Sequence, residues 1–286
     1  MKEQKFLTLA LVGAPNAGKS TLTNYLVGEK LSIVTPKEGT TRSLITGIIT
    51  KENYQFVIYD TPGIFKARSK MEQAMVAAAW GALEHVDIIA LILDSVKEIP
   101  KEIINLTKRL SLWPEKIIIL HNKIDLKSAK IHPITIQDKQ VPHFLISALK
   151  GKGLKKLWQF LEEKAVTQPW LHDVDSLTDL PSRFLAEEIT REQLFFQLNQ
   201  ELPYHLKVKT EDWQEDADSI TIRQQIIINK QAHKPIIIGK GGQVLKTIGS
   251  NARANLSRFF AKKIHLFLFV KVKENWLEED FQEIVR

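Results

Sequence analysis

The stretch Gly13-Ala14-Pro15-Asn16-Ala17-Gly18-Lys19-Ser20-Thr21 matches the G-x-x-x-x-G-K-[ST] pattern of a phosphate-binding loop. An apolar run of strand length, residues 6–12, precedes it, and residues 22–26 continue as a helix. Glycines at the loop let the backbone approach phosphates, and the helix N-terminus turns its N–H groups toward the anion. We therefore predict a nucleotide site, with Lys19 at the β- and γ-phosphates and the Ser20 hydroxyl on Mg²⁺.

The composition of the chain is that of a folded protein of two ordinary domains. It has 286 residues, 44% of them hydrophobic, and a formal charge of +7, which permits an acidic partner such as nucleic acid. It has no cysteine, so disulfides and thiol chemistry are excluded and a reducing, cytoplasmic location is expected. No run reaches the roughly 18 apolar residues of a membrane span, and residues 6–12 are predicted as the first strand instead of a signal sequence.

Two further segments are predicted to serve the phosphate end of the nucleotide. A polar surface loop over residues 30–42 contains Thr40 and Thr41, either of which could place its hydroxyl on Mg²⁺. The next strand, residues 55–59, ends in Asp60-Thr61-Pro62-Gly63. An aspartate at a strand end in such a domain is expected at the Mg²⁺, and a glycine there can bring its N–H to the γ-phosphate. Lys19, Thr41 and Gly63 are the candidate catalytic residues.

A third pair of motifs predicts which base is bound. A strand over residues 116–120 is followed by Asn122-Lys123-Ile124-Asp125, and the last strand, residues 144–146, by Ser147-Ala148. Asp125 can accept hydrogen bonds from N1–H and the exocyclic amine of guanine, which adenine cannot offer together. Asn122 can hold N7 and tether the phosphate loop, while the stem of Lys123 covers the base. Ser147 and Ala148 leave room for a backbone N–H at O6.

Strands and helices alternate through this half of the chain. The alternation predicts an α/β, doubly wound sheet with its ligand at the carboxyl ends of the strands. We assign residues 1–170 to this nucleotide-binding domain, residues 171–181 to a proline-containing linker, and residues 182–286 to a second, smaller α+β domain. A helix capped by Ser182 begins the second domain, and strands are expected over residues 204–209 and 219–228, with an acidic stretch between them.

Positive charge is concentrated near the end of the chain. Residues 231–273 contain nine lysines and arginines and no acidic residue. Within them, Gly239-Lys240-Gly241-Gly242 lies between two predicted helices, the position of the G-x-x-G loop by which a KH domain holds four nucleotides of single-stranded RNA. We predict RNA contacts from this loop and from Lys246 and Arg253 on the helix that follows.

Taken in order, these motifs resemble those of the Era family of bacterial ribosome-assembly GTPases, over both domains. The similar segments are GAPNAGKSTL, GTTR, DTPG, NKID, SA, RFLAEEITREQLFFQLNQELPY and IGKGGQVLKTIG. The resemblance implies a P-loop GTPase domain followed by a type II KH domain, with GTP or GDP and Mg²⁺ bound. It further implies binding of the 3′ end of 16S ribosomal RNA, a role in 30S subunit assembly, a monomeric state, and peripheral association with the inner face of the cell membrane.

Two residues bear on the expected rate of hydrolysis. Ile64 follows Gly63, where Ras-type enzymes have a glutamine that orients water, so slow intrinsic turnover is expected. Asn16 stands where relatives have an asparagine linked to K⁺, which could replace an arginine finger. Two alternatives remain open: a GTPase of tRNA modification, which shares the TTR segment, and a KH module whose nucleotide site is only structural.

Overall fold

The computed structural model describes residues 3–37, 39–63, 77, 80–81, 83–136, 140–199, 201–274 and 276. The chain divides into two compact units, one of residues 1–32 and 38–179, the other of residues 33–37 and 180–286. Ile64 lies outside the described residues.

The first unit is built on a mixed sheet whose strand order is β2-β3-β1-β4-β5-β6, with β7 pairing antiparallel to β1. β1, β3, β4, β5 and β6 are parallel, and β2 is antiparallel to β3. The strands are β1 Lys5–Gly13, β2 Ile45–Lys51, β3 Tyr54–Asp60, β4 Ile88–Asp94, β5 Ile117–Asn122, β6 His143–Leu145 and β7 Val166–Thr167. The described helices are α1 Lys19–Val27, α2 Lys101–Leu110 and α3 Leu154–Lys164.

The central strands explain why the motifs converge. β1 and β4 are apolar on both faces because layers of side chains cover both sides of the sheet. Because parallel strands end at one edge, the residues after β1, β3 and β5 are brought to the same rim of the sheet. The doubly wound α/β class is confirmed, with β2 antiparallel at the edge and the short β7 antiparallel to β1.

The second unit is a three-stranded sheet with helices on one face. Its strand order is β10-β9-β8, with β10 parallel and β8 antiparallel to β9. The elements are α4 Ser182–Gln197, β8 Leu206–Glu215, β9 Ser219–Ile228, α5 Lys234–Ile238, α6 Gln243–Phe260 and β10 Lys263–Val272. Alternate strand residues such as Ile222, Ile226 and Leu266 are buried with Ile189, Leu194, Ile248 and Leu256 of α4 and α6.

Two sequence predictions for the second unit differ from the structure. Ser182 is the first helical residue of α4 and makes no capping bond, because Pro181 occupies the N-cap position. The fixed φ of proline suits the start of a helix. β8 continues to Glu215, so the first part of the acidic stretch, Glu211–Glu215, is in the strand, and residues 216–218 form the turn to β9. A bulge between Thr210 and Asp212 lets the strand keep its pairing with β9.

The segment predicted as a surface loop, residues 30–42, is in fact partly buried. Leu31 and Ser32 pack in the first unit, but Ile33–Lys37 belongs to the second. There the Val34 N–H donates to Glu192 Oε1 at 3.0 Å, and Lys37 Nζ donates to the Phe195 carbonyl at 2.5 Å. The Lys37 bond satisfies a carbonyl in the last turn of α4, where intrahelical partners are lacking, and the Glu192 bond satisfies the N–H of Val34.

Candidate functional site

The phosphate loop is shaped by backbone conformations that favour glycine. Gly13 has φ +151° and a Cβ there would lie 2.4 Å from the Ile92 carbonyl oxygen, while Gly18 has φ +103° and a Cβ would lie 2.2 Å from Asn122 Nδ2. Asn16 also adopts a positive φ, of 60°. The loop therefore turns tightly between β1 and α1, and its N–H groups converge at the start of that helix.

Lys19 is buried in this loop. Its Nζ donates to the carbonyls of Gly13 at 3.1 Å and Ala14 at 3.0 Å. Burial lowers the pKa of Lys19 to about 8, although the negative charge of Asp60 opposes the shift. The two carbonyls are neutral acceptors. Charged phosphate oxygens would accept stronger hydrogen bonds from the Lys19 ammonium.

Asp60 supplies the negative charge opposite Lys19. Its carboxylate is fully buried, and among the described residues neither oxygen has a hydrogen-bond partner, although the Ser20 and Ser32 hydroxyls lie nearby. Burial raises the pKa of Asp60 and the charge of Lys19 opposes this rise. A buried carboxylate without a donor fits a divalent cation, which would compensate its charge.

Two hydroxyls lie together at the candidate cation site. Ser20 Oγ lies 3.1 Å from Thr41 Oγ1, so the structure brings Thr41, from the loop before β2, beside the first turn of α1. Oxygen ligands of this kind suit Mg²⁺. Gly63 also approaches the loop, since a Cβ there would lie 3.1 Å from Pro15 Cγ, and Thr61 Oγ1 donates to the Leu11 carbonyl at 2.7 Å. The residues that follow β1 and β3 thus form one cluster.

Asn122 links the two ends of the site. Its Nδ2 donates to the Ala17 carbonyl at 2.7 Å, and its Oδ1 accepts from the Ala148 N–H at 2.8 Å. One buried side chain therefore holds the phosphate loop and the Ser147–Ala148 turn in fixed register.

The carboxylate of Asp125 is prepared to accept hydrogen bonds. A bond from the Ser147 side chain, with Lys150 and Lys152 nearby, holds the pKa of Asp125 below its usual range. The carboxylate is therefore ionised at neutral pH, as bidentate recognition of two N–H donors requires.

Sequence reasoning missed Asp94. This residue ends β4 opposite Asn122 of β5, and its Oδ2 accepts from Lys123 Nζ at 2.7 Å. The ion pair holds the aliphatic stem of Lys123 across the rim. An aspartate at the end of a buried parallel strand was the signal in the sequence that could have identified it.

The second unit presents the glycine loop at the start of α6. Gly239, Gly241 and Gly242 have φ values of 74°, 59° and 78°, which side chains rarely adopt. A Cβ at Gly241 or Gly242 would meet no atom within 4 Å, so their open side faces space that a ligand backbone can enter. Lys240 is exposed beside them, and Lys246 and Arg253 are exposed two turns apart on α6.

Comparison with known proteins identifies both units. Residues 8–123 match a family described as 50S ribosome-binding GTPase, and residues 201–277 match the KH domain. GTPase Era of Rickettsia conorii is 47% identical over 284 residues, covering 96% of this chain and 83% of that protein. The chain belongs to the Era family of GTPases. Like the family, it hydrolyses GTP to GDP and phosphate, with Mg²⁺ as cofactor.

Solved Era structures have the same fold. A variant of Era from Aquifex aeolicus bound to GDP and AlF₄⁻ superposes with a TM-score of 0.89 at 33% identity, covering 98% of both chains. Era in complex with MgGDPNP and nucleotides 1506–1542 of 16S ribosomal RNA gives 0.88, also at 33% identity and 98% of both chains. Among the described residues, no helix of this Era-family protein is long and apolar enough to cross a membrane.

Proposed function

We propose that this Era-family GTPase binds the unpaired 3′ end of 16S ribosomal RNA through its KH unit and acts in assembly of the 30S subunit. The observation that carries the proposal is the open, positive-φ loop of Gly241 and Gly242 beside the exposed Lys240, in a segment without acidic residues. Such a loop admits a nucleic-acid backbone that any larger side chain would exclude. The similar Era structure contains nucleotides 1506–1542 of 16S ribosomal RNA, which supports the choice of ligand.

The proposed roles in hydrolysis follow from the cluster at the rim of the first sheet. Ser20, Thr41 and Asp60 would hold Mg²⁺, which when bound would offset the charge of the β- and γ-phosphates. Lys19 adds positive charge at the same oxygens, and the Gly63 N–H donates to the γ-phosphate. The remaining loop residues line the phosphates and the base, namely Gly13, Ala14, Pro15, Asn16, Ala17, Gly18, Thr21, Thr61, Pro62, Asn122, Lys123, Asp125, Ser147 and Ala148.

The proposed function is tested by measuring phosphate release from GTP with and without RNA. A single-stranded oligonucleotide from the 3′ end of 16S ribosomal RNA should bind and change the rate, whereas a duplex of the same sequence and a transfer RNA should not. A rate that responds only to transfer RNA together with a modification enzyme would favour the tRNA-modification alternative. Absence of hydrolysis under every condition would favour a structural nucleotide site.

Location and assembly state form a second part of the proposal. We place the protein in the cytoplasm as a monomer, with peripheral association at the inner face of the cell membrane. The absence of cysteine from the sequence and the positive charge of residues 231–273 are compatible with this placement.

Guanine specificity should depend on Asp125. In Asp125→Asn one acceptor becomes a donor, so we expect GTP affinity to fall about 100-fold and xanthosine triphosphate, which has a carbonyl at the 2-position, to bind better than GTP. Competition binding against a labelled nucleotide measures both values. Asp175→Asn, an exposed change outside the site, serves as the matched control. Retained preference for GTP in the Asp125 variant would remove this residue from the base site.

Asn16 carries the proposal of a K⁺ site. It lies in the phosphate loop with a left-handed φ of 60°, at the position where relatives have an asparagine linked to K⁺. Replacing K⁺ by Na⁺ at constant ionic strength should slow phosphate release about 10-fold or more, because the smaller ion does not fit the same ligands. The Asn16→Ala variant should lose this difference between the salts. Equal wild-type rates in K⁺ and Na⁺ would contradict a K⁺ site.

A further inference from the structure

The outer face of the KH sheet departs from the pattern of a solvated surface. Residues of β10 alternate strictly: Ile264 and Leu266 are buried toward the helices, whereas Phe267 and Phe269 point away from them. These two phenylalanines are 47% and 54% exposed. A solvated sheet face normally carries polar side chains, so two adjacent exposed aromatic rings in the middle of the strand indicate a binding surface.

Cationic side chains surround these rings. The strand register places Arg223 of β9 beside Phe267, and places Gln225 of β9 and then Lys209 of β8 beside Phe269. The Arg223 guanidinium lies 5.6 Å from the centre of the Phe267 ring. Along β10, Lys271 follows Phe269 on the same exposed face, and the exposed Lys263 lies at the other end of the strand.

Negative charge is sparse on this face. Asp212 of β8 pairs with Arg223 in the register, and its Oδ2 lies 3.8 Å from Arg223 Nε. Both side chains of this pair are substantially exposed, so the pair is weak and exchangeable. The exposed Glu211 precedes Asp212 at the β-bulge. The four cations Lys209, Arg223, Lys263 and Lys271 outnumber these two carboxylates, so the surroundings of the two rings are net positive.

We propose that this outer face, defined by Lys209, Arg223, Phe267, Phe269 and Lys271, is a second RNA-binding surface of the KH unit. Bases of a single strand stack on Phe267 and Phe269, and the flanking cations contact the phosphates. Aromatic side chains on the face of a sheet bind RNA in this way in other small domains. This inference rests on the proposed function, which supplies RNA as the ligand. It adds a second surface, on the face of the sheet opposite to the helices that carry the glycine loop.

The chemistry of the face favours RNA over a membrane. Gln225 and Thr221 of β9 share the face with the two rings and offer hydrogen-bonding groups that match base edges and ribose hydroxyls. The acyl chains of a membrane would leave these groups without hydrogen-bond partners, which costs free energy. Arginine and aromatic rings both provide flat surfaces for bases, whichever base is present.

The position of β10 allows one strand of RNA to use both surfaces. β10 is at the edge of the sheet, and α5 and α6, which carry the glycine loop between them, contact its inner side. A KH loop holds four nucleotides. A longer strand can pass around the β10 edge and reach the outer face, so the second surface should matter only for RNA longer than the loop accommodates.

The test compares two lengths of RNA on the full chain. The probes are labelled oligonucleotides of four and about 12 nucleotides from the single-stranded 3′ end of 16S ribosomal RNA. Phe267→Ala/Phe269→Ala should weaken binding of the longer RNA at least about 10-fold and leave the shorter one unchanged. Phe267→Tyr/Phe269→Tyr should retain wild-type affinity, because tyrosine also stacks. Phe196→Ala, which removes another half-exposed phenylalanine from α4, is the matched control.

Salt dependence provides an independent measurement. Lys209→Gln/Lys271→Gln should reduce the slope of log affinity against log salt by about 1.4 for the longer RNA, and not for the shorter. Unchanged binding of both lengths by a folded Phe267→Ala/Phe269→Ala variant would overturn the second surface. The second surface would also be overturned if this variant kept its RNA affinity but lost binding to anionic phospholipid vesicles, which would indicate a membrane surface. A changed sedimentation coefficient with RNA affinity intact would overturn it as well, because it would indicate an interface between two copies of the chain. Failure of the wild-type chain to bind either RNA would instead refute the proposed function.

Discussion

The Lys19→Ala variant is expected to release phosphate from GTP at least 100-fold more slowly than the wild-type chain. Lys19 Nζ is buried at the mouth of the phosphate loop, 3.1 Å from the Gly13 carbonyl and opposite the carboxylate of Asp60. Removing this ammonium takes away a fixed positive charge where the transition state develops negative charge, and such contacts contribute about 10² to 10³ in rate. A single-turnover phosphate-release assay at saturating GTP measures the effect on the chemical step.

The matched control for this variant is Lys101→Ala, an exposed lysine at the start of α2. It should hydrolyse GTP at the wild-type rate. Nucleotide binding measured beside hydrolysis separates a lost ground-state contact from a lost transition-state contact. Wild-type hydrolysis by a folded Lys19→Ala protein would exclude the loop of residues 13–21 as the active site.

The convergence of the nucleotide motifs could be predicted from the sequence. Buried parallel strands are recognised from their continuous apolar runs, and the residues that follow them must meet at one rim of the sheet. Gly13, Asp60 and Asn122 each end such a strand, and the structure joins their motifs through bonds such as that from Asn122 to the Ala17 carbonyl. The apolar runs locate the strands, and the parallel topology brings the ends of the strands together. Short motifs at those ends are therefore sufficient to predict the nucleotide site.

The remaining features depend on contacts between residues far apart in the sequence. The Val34 N–H meets Glu192, 158 residues later, and no periodicity in residues 30–42 indicates this bond. Lys123 was expected over the base, but the aspartate that holds it, Asp94, is identified only through the pairing of β4 with β5. The bulge that allows β8 to include its acidic residues likewise follows from pairing with β9.

The choice between Thr40 and Thr41 was also left open by the sequence, because both are small hydroxyl residues in one loop. The structure places Thr41 Oγ1 3.1 Å from Ser20 Oγ. Both threonines are buried to the same degree, so burial alone would not separate them. Position relative to the first turn of α1 favours Thr41 as the proposed Mg²⁺ ligand.

The largest effect on RNA is expected from Lys240→Asp/Gly241→Asp. This change places two carboxylates where the RNA backbone must approach, and the new side chain at residue 241 enters the space that is open in the wild-type loop. Gly241 has φ 59°, a conformation that aspartate tolerates better than most residues, so the fold should survive. We expect affinity for the single-stranded 3′ end of 16S ribosomal RNA to fall at least 100-fold, measured by fluorescence anisotropy.

A charge-matched variant serves as the control for the change in net charge, and phosphate release serves as the control for folding. Lys155→Asp/Lys156→Gln on α3 changes the net charge by the same −3 but lies in the first unit, and it should bind RNA within about threefold of wild type. Phosphate release without RNA should be nearly unchanged in both variants, because the nucleotide motifs and the glycine loop belong to different units. Counterion release predicts a salt slope shallower by about 0.7 for the loss of the Lys240 contact, and more if the strand leaves the loop altogether. Wild-type RNA affinity in a folded Lys240→Asp/Gly241→Asp protein would refute the glycine loop as the RNA site, whereas loss of hydrolysis together with RNA binding would point to misfolding or to tight coupling between the two activities.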